Sequence, residues 1–462
     1  MAQPHQLALL QDFNGYVDVF DINHPIPVTM AQMVANPPMF VSLIVKDQNP
    51  KLVNFNAYLI NEPPPNGHFP PNGHFPPNLI DLDCDKNLIV EIPQLPEGIE
   101  LLSCNSNNIS NLPLLPDTLQ YIFCDDNQLS SLPQPLPREL LHLTCNENNL
   151  NSLPTLNNLE NLTHLECYDN QLTQIPDFYQ PSGLNVLDCA HNLLQQLPNL
   201  PLSLTKLNCS HNQIHVLPDL PTNLTKLNCS FNQLFGLPNL NVNLRKLNCA
   251  SNPIIGSIAN IVLPDSLRYF YCFNCQITNF PPNLPTRLKE FICSHNPLVS
   301  LPNLPNTLKI LNCTNNRLTV LPDLPNTLRI LFCRGNNFDD QSINKIIAFY
   351  EKAIRDNYPP INPTFQEELD YFKIPRSQTF INAFGQHPQG TKGQTVSIGQ
   401  GISVKPKPFP GKAMQNILEK AGLPLPPGRL GGTRKRKVSK RSKTRRRKVF
   451  KKTKKRFKKL FK

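Results

Sequence analysis

The chain has 462 residues, among them 49 prolines, 14 cysteines and no tryptophan. It has no apolar run of membrane-spanning length, and Met1 to Phe20 lacks the basic stretch and apolar core of a secretory signal, so it reads as intracellular, in cytoplasm or nucleus. The net charge of +12 hides a division: residues 429–462 carry twenty Lys or Arg and no acid, which leaves 25 basic against 33 acidic residues, or −8, in 1–428.

Residues 1–60 read as a small separate α+β unit. Tyr16 to Phe20, Phe40 to Val45 and Leu52 to Ile60 have the β-branched content and alternation of strands. Two hexapeptide copies follow, Pro64-Pro65-Asn66-Gly67-His68-Phe69 and Pro70-Pro71-Asn72-Gly73-His74-Phe75, so 61–78 reads as an extended Pro/Gly-rich connector. His68 and His74 lack companion ligands for a metal.

From 79 to 338 one phrase recurs about every twenty residues: Leu-x-x-Leu-x-Cys-x-x-Asn-x-Leu, then Leu-Pro-x-Leu-Pro. One copy runs Leu204, Leu207, Cys209, Asn212, Ile214, Leu217-Pro218 and Leu220-Pro221. Thirteen cysteines mark it, from Cys84 to Cys333, and an Asn stands three residues after each, except where Cys275 follows Cys272. A period of that size predicts a solenoid of stacked turns. Leu-x-Cys forms a short strand with Leu and Cys inward. The Asn closes the turn by bonding backbone groups that burial would leave unpaired. The Leu-Pro-x-Leu-Pro segment excludes helix interior and runs extended on the convex side.

After the repeats, Ile343, Ile346, Ile347, Phe349, Tyr350 and Ile354 have helical spacing, as a helix capping the open end would. Thr364 and Glu367 form a capping box before a second helix. Residues 339–384 are thus a helical cap region. Residues 385–428, rich in Gly, Pro, Gln and Lys, read as a flexible linker with a short helix at Ala413 to Ala421. The basic tail, 429–462, reads as disordered; Val449, Phe450, Phe457, Leu460 and Phe461 give it the spacing of an amphipathic helix on an acidic partner.

The cysteine ladder reads as structural. Adjacent strands stand about 4.8 Å apart, whereas a disulfide needs Cβ atoms about 3.8 Å apart and turned toward each other. A straight row of thiols makes no tetrahedral metal site. Buried Cys acts as a small hydrophobe. Cys272 and Cys275 spell Cys-x-x-Cys only because Cys275 takes the place of the turn Asn. No nucleophile–base pair, phosphate loop or cofactor motif stands out, which points away from an enzyme.

The outward positions are the residue before each Cys, the one three before it and the two after it. They place Asp81, Asp83, Asp85, Asp125, Asp126, Glu147, Glu166, Asp169 and Asp188 on the concave face of the early turns. Lys206, Lys226 and Lys246 stack in the middle; Tyr269, Tyr271, Phe273 and Phe332 follow. The lysines and aromatics are the candidate partner-binding residues, since aromatic anchors dominate interfaces. Exposed Ser210 and Ser230 serve as neutral positions, and His191, His211 and His295 are too scattered for a catalytic set.

The Leu-Pro-x-Leu-Pro signature at this spacing resembles the leucine-rich repeats of bacterial type III secreted effectors. The resemblance implies an α/β-type leucine-rich repeat horseshoe with a parallel strand ladder on its concave face. Some such effectors are plain scaffolds; others add a ubiquitin ligase domain with a Cys-x-Asp motif outside the repeats. Here no cysteine follows Cys333, and Cys124-Asp125-Asp126 and Cys167-Tyr168-Asp169 lie on the ladder. The tail opened by Gly431-Gly432 is similar to tails on many large DNA virus proteins, which would place the chain in a host cell or virion.

The expected function is a non-enzymatic scaffold, monomeric, holding a protein on the concave face without cofactor or metal. Arg434, Lys435, Arg436, Lys437, Arg445, Arg446, Arg447 and Lys448 are the polyanion-binding candidates; nucleic acid, an anionic membrane surface and a nuclear import receptor all fit their charge. Two alternatives stand beside it: a nonspecific nucleic-acid-binding or virion packaging protein, and a substrate adaptor for ubiquitin transfer.

Overall fold

The structure is a computed structural model that describes residues 18–21, 24–27, 41–44, 75, 79–254, 261–356 and 364–373. The expected strand at 52–60, the hexapeptide connector before Phe75, the linker and the basic tail lie outside them. The chain divides into two compact units, one of residues 1–358 and 368–387, the other of 359–367 and 388–462. The first holds the repeats. Of the second only 364–367, the start of a helix, are described.

Each repeat contributes one short parallel strand, from β4 (Leu79–Asp83) to β16 (Ile330–Phe332), and each pairs with the next in strict sequence order. Register never slips across the regular turns: Lys206, Leu207 and Asn208 face Lys226, Leu227 and Asn228. The sheet continues at its N-terminal end. β3 (Val41–Ile44) pairs in parallel with β4, and β1 (Asp18–Asp21) pairs antiparallel with both β3 and β2 (His24–Pro27). These strands therefore extend the ladder rather than standing apart from it.

The strand leucines and all fourteen cysteines are buried, and every cysteine is a free thiol. A thiol adds one weak bond: Cys124 Sγ donates to the Thr144 carbonyl at 3.3 Å, and Cys229 Sγ to the Asn248 carbonyl at 3.5 Å. Burial pushes the Cys209 and Cys313 thiols up to about 12. They stay protonated, as packing groups rather than nucleophiles or metal ligands.

The turn asparagine bonds as the repeat predicts. Asn212 Nδ2 donates to the carbonyls of Cys189 (3.0 Å), Cys209 (3.1 Å) and Ser210 (3.3 Å), and its Oδ1 accepts from Leu194 N at 2.9 Å. Each Asn thus satisfies its own turn and the one before it. Where Cys275 replaces the Asn, its thiol donates to the Cys249 carbonyl at 3.2 Å, and Asn296 Oδ1 accepts from both Cys275 N and Ile277 N at 3.0 Å. The outer side runs extended and turns once per repeat, as in the bond from Leu204 N to the Pro201 carbonyl at 3.0 Å. Ser203 Oγ there donates to two carbonyls of the previous turn, Ser182 (2.7 Å) and Leu184 (2.8 Å).

Helix α1 (Asp340–Arg355) closes the C-terminal end. Asp339 caps it by accepting from Ser342 N at 2.8 Å, and its Ile343, Ile346, Tyr350 and Ala353 are buried. Tyr350 reaches into the last turn, its hydroxyl donating to the Leu331 carbonyl at 2.6 Å. In α2 (Thr364–Lys373) Leu369 and Phe372 are buried, and Glu368 pairs with Arg334 Nε at 2.9 Å.

Candidate functional site

The strand face carries two columns of side chains, three residues and one residue before each cysteine. In the first column His142 and His164 stack at 4.6 Å between ring centroids. Val186 comes next, then Lys206, Lys226, Lys246 and Tyr269, each in direct register with its neighbour. Lys226 is exposed, and Lys206, Lys246 and Tyr269 are half-buried. The Lys246 ammonium also lies 5.3 Å from the centre of the Tyr271 ring.

The second column is a hydrogen-bonded network. Asp188 Oδ1 accepts from Asn208 Nδ2 at 2.9 Å, and Asn208 Oδ1 accepts from Asn228 Nδ2 at 2.8 Å. Ser210 and Ser230 close it, their hydroxyls donating to Asn208 and Asn228 at 2.8 Å. Ser210 is 4% exposed and Ser230 is fully buried, which corrects their assignment to exposed positions. Asp85 and Asp125 are buried in the same way: Asn105 N donates to Asp85 Oδ1 at 2.8 Å, and Asn146 N to Asp125 Oδ1 at 3.0 Å. The residue after the cysteine is therefore part of the interior in most turns, Tyr168, Phe273 and Arg334 being half-buried exceptions, and the next one turns the chain. Lys86, Asp126, Glu147, Asp169, His191, His211 and Phe231 all hold φ between 53° and 61° there.

Two of the aromatic anchors need the same correction. Tyr271 is only 1% exposed; its hydroxyl donates to Glu290 Oε2 at 2.6 Å, and burial followed by the nearby carboxylate drives its pKa far up. Phe332 is 9% exposed at the end of the ladder. Neither presents an open ring to a partner. Tyr269 and Phe273 remain half-buried on the surface. Arg434, Lys435, Arg436, Lys437, Arg445, Arg446, Arg447 and Lys448 lie outside the described residues.

The histidines are less scattered than the sequence indicated. His191 and His211 stack at 4.0 Å, and His211 stacks on Phe231 at 4.2 Å, in three successive turns. Burial, with the His191 charge second, pulls the His211 pKa down from 6.5 to about 4. The signal was present in the sequence, as the residue two after Cys189, Cys209 and Cys229, but only the closed turn stacks those rings.

The described residues contain no cluster of three or more His, Cys, Asp or Glu side chains fit to hold a metal. What they present is a regular parallel ladder with a buried thiol row and an asparagine row beside it. The chain is a leucine-rich repeat protein.

Among solved structures this leucine-rich repeat chain is similar to YopM from Yersinia enterocolitica, at 35% identity and a TM-score of 0.53. That match covers 59% of this chain and 61% of the Yersinia chain, less than two thirds of it. A leucine-rich effector, YopM from Yersinia pestis, is 32% identical with a TM-score of 0.47, over 56% of this chain and 84% of the other. The functional domain of InlJ from Listeria monocytogenes, described as including a cysteine ladder, is 28% identical with a TM-score of 0.51, over 59% and 62% of the two chains. No protein-family model and no curated protein matches the chain. Leucine-rich repeat proteins of this kind are typically protein-interaction scaffolds and effectors.

Proposed function

We propose that this protein is a non-enzymatic recognition scaffold that holds a protein partner on the strand face of its repeats. The basic tail, 429–462, fixes where the complex sits, through nuclear import or attachment to a polyanion. The observation that carries the reading is the in-register stack Lys206, Lys226, Lys246 and Tyr269. Like charges about 5 Å apart repel by about 0.8 kcal/mol per pair even at the dielectric constant of water. An acidic patch on a partner relieves that repulsion, and Tyr269 and Phe273 beside it add contact area.

The test is affinity capture with the full chain. Changing Lys206, Lys226 and Lys246 to Glu, or Tyr269 and Phe273 to Ser, removes the same captured partner while the melting temperature stays put. A captured set untouched by both changes rejects the strand face as the site. A second reading, a nonspecific nucleic-acid-binding or packaging protein, is favoured by the twenty cations in 429–462. In that reading capture depends on the tail and on nucleic acid rather than on the face.

A further inference from the structure

The repeats are electrically polar along their length. Residues 79–190, the first six turns, carry sixteen Asp or Glu and two Lys or Arg, a net −14. Residues 191–338, the last seven, carry four and eleven, a net +7.

The charges also form rows on opposite edges of the ladder. The residue four before each cysteine opens the strand. In five successive turns it is Arg245, Arg268, Lys289, Lys309 and Arg329. Their main chains bond directly: Arg268 N to the Arg245 carbonyl at 2.9 Å, then Lys289 N to Arg268, Lys309 N to Lys289 and Arg329 N to Lys309, each at 2.8 Å. Arg245, Lys309 and Arg329 are exposed, and Arg268 and Lys289 half-buried. Among the described residues none makes an ion pair with Arg245, Arg268, Lys289 or Lys309.

The residue two after each cysteine sits at the far end of the strand. In turns three to five it is Asp126, Glu147 and Asp169. Six residues separate the two positions, so the rows stand at most about 20 Å apart at about 3.3 Å per extended residue, and less where the turn after the cysteine shortens the path. Asp169 is exposed and the other two half-buried, with the Tyr168 hydroxyl donating to Glu147 Oε1 at 3.4 Å.

We propose that the carboxylate row Asp126, Glu147 and Asp169 of one copy docks against the cation row Arg268, Lys289 and Lys309 of a second copy. Both rows repeat at the strand spacing of about 4.8 Å, so three charges stay in step with three. An irregular acidic partner has no such match of period. Two ladders running the same way, side by side and shifted by six to eight turns, bring opposite edges together. A docked pair still offers one open row of each sign, one on each copy, so the contact is head-to-tail and does not close on itself. Exposed pairs are individually weak. The association is therefore shallow and salt-sensitive, and the chain is a monomer when dilute or at high ionic strength.

Sedimentation velocity on the full-length protein tests this. At about 20 mM salt, where the screening length exceeds 20 Å, the mean mass rises with concentration; at about 500 mM it returns to the monomer. The variant Arg268→Glu, Lys289→Glu, Lys309→Glu and the variant Asp126→Lys, Glu147→Lys, Asp169→Lys are each monomeric at both salts. Mixed one to one, they associate again, because the exchanged rows match. Circular dichroism melts confirm that each variant is folded. A wild type that stays monomeric at low salt overturns the proposal, as does a mixture that fails to associate. So does association that is lost on reversing the acidic row but kept on reversing the cation row, which assigns the acidic row to the chain's own basic tail.

Discussion

The side-chain amide of Asn212 donates to the carbonyl of Cys189, a full turn earlier in the solenoid, at 3.0 Å. Its oxygen accepts from Leu194 N in that same earlier turn. One side chain therefore links two turns and satisfies buried main-chain groups in both. Asn212→Ala or Asn232→Ala leaves those groups unpaired, at a cost of about 1–3 kcal/mol each. Ser230 is no neutral control, because it is buried in the neighbouring network. Gln233, exposed on the same turn, is. Urea denaturation of Asn232→Ala and Gln233→Ala separates them; coincident curves would remove the asparagine ladder as a source of stability.

The thiol row sets the behaviour at high pH. Cys209 ionises near 9 in the unfolded chain and near 12 in the fold, because burial and then the Asp188 charge oppose the thiolate. Its raised folded value means that this stability is whole below pH 9 and is lost as pH rises toward 12. In that window each such thiol lowers stability by about 1.4 kcal/mol per pH unit. Cys209→Ala costs on the order of 1 kcal/mol at pH 7 through lost packing, yet flattens the alkaline decline. Melting temperatures from pH 7 to 11 check both halves. An equally steep decline in the variant would show that the thiols do not govern it.

The asparagine and cysteine ladders were legible from the sequence because both ride on a fixed period. The burial of Ser210 was not. Its strand is only three residues long, Lys206–Asn208, and His211 at φ 57° turns the chain immediately after Ser210. Strand alternation therefore stops at Cys209, where the sequence reading had carried it on. The burial of Tyr271 depends on Glu290 nineteen residues later and Lys246 twenty-five earlier, so no single repeat contains it. The cation row from Arg245 to Arg329 is visible once turns are aligned four residues before the cysteine. That position reads as a strand boundary, and only main-chain bonds from turn to turn make it a row.

The histidine stack makes the repeats acid-sensitive. His211 Nε2 is buried without a hydrogen-bond partner among the described residues, between His191 and Phe231. Its pKa of about 4 in the fold lies below the usual 6.5. The stack's contribution is thus whole above pH 6.5 and is lost as pH falls toward 4. His211→Phe keeps the stack and removes the titration. Its melting temperature falls less than that of the wild type between pH 7 and 4.5. Parallel declines would exclude His211 as the cause.

Tyr271 separates stability from binding on the candidate face. Tyr271→Phe removes the bond to Glu290 and leaves a half-buried carboxylate short of a donor, at up to about 1.5–3 kcal/mol for a bond to a charged group. Tyr269→Phe, a half-buried position with no such bond, changes stability by under about 0.5 kcal/mol. Thermal melts of the two variants give the comparison. Equal melts would mean that the Tyr271 hydroxyl contributes nothing to the ladder.

The basic tail and the acidic repeats are expected to act separately. Twenty cations in 34 residues engage several phosphates at once, with no base-reading element in the sequence. Engaging about six phosphates gives a log–log salt slope near −4 to −5, at about 0.7–0.9 per phosphate. The slope is the same for unrelated DNA sequences. Removing residues 429–462 turns the net charge from +12 to −8, so the remaining chain is repelled by a polyanion rather than merely indifferent to it. The melting temperature is unchanged, since residues 429–462 contribute no repeat cysteine or turn asparagine. Gel shifts on two unrelated DNA duplexes, with imaging of full-length and 1–428 chains in cells, measure binding and location together. The truncation loses the shift and its nuclear or nucleolar enrichment. If it shifts DNA as well as the full chain does, the polyanion site lies on the cation row of the repeats instead, and reversing Arg268, Lys289 and Lys309 then abolishes it.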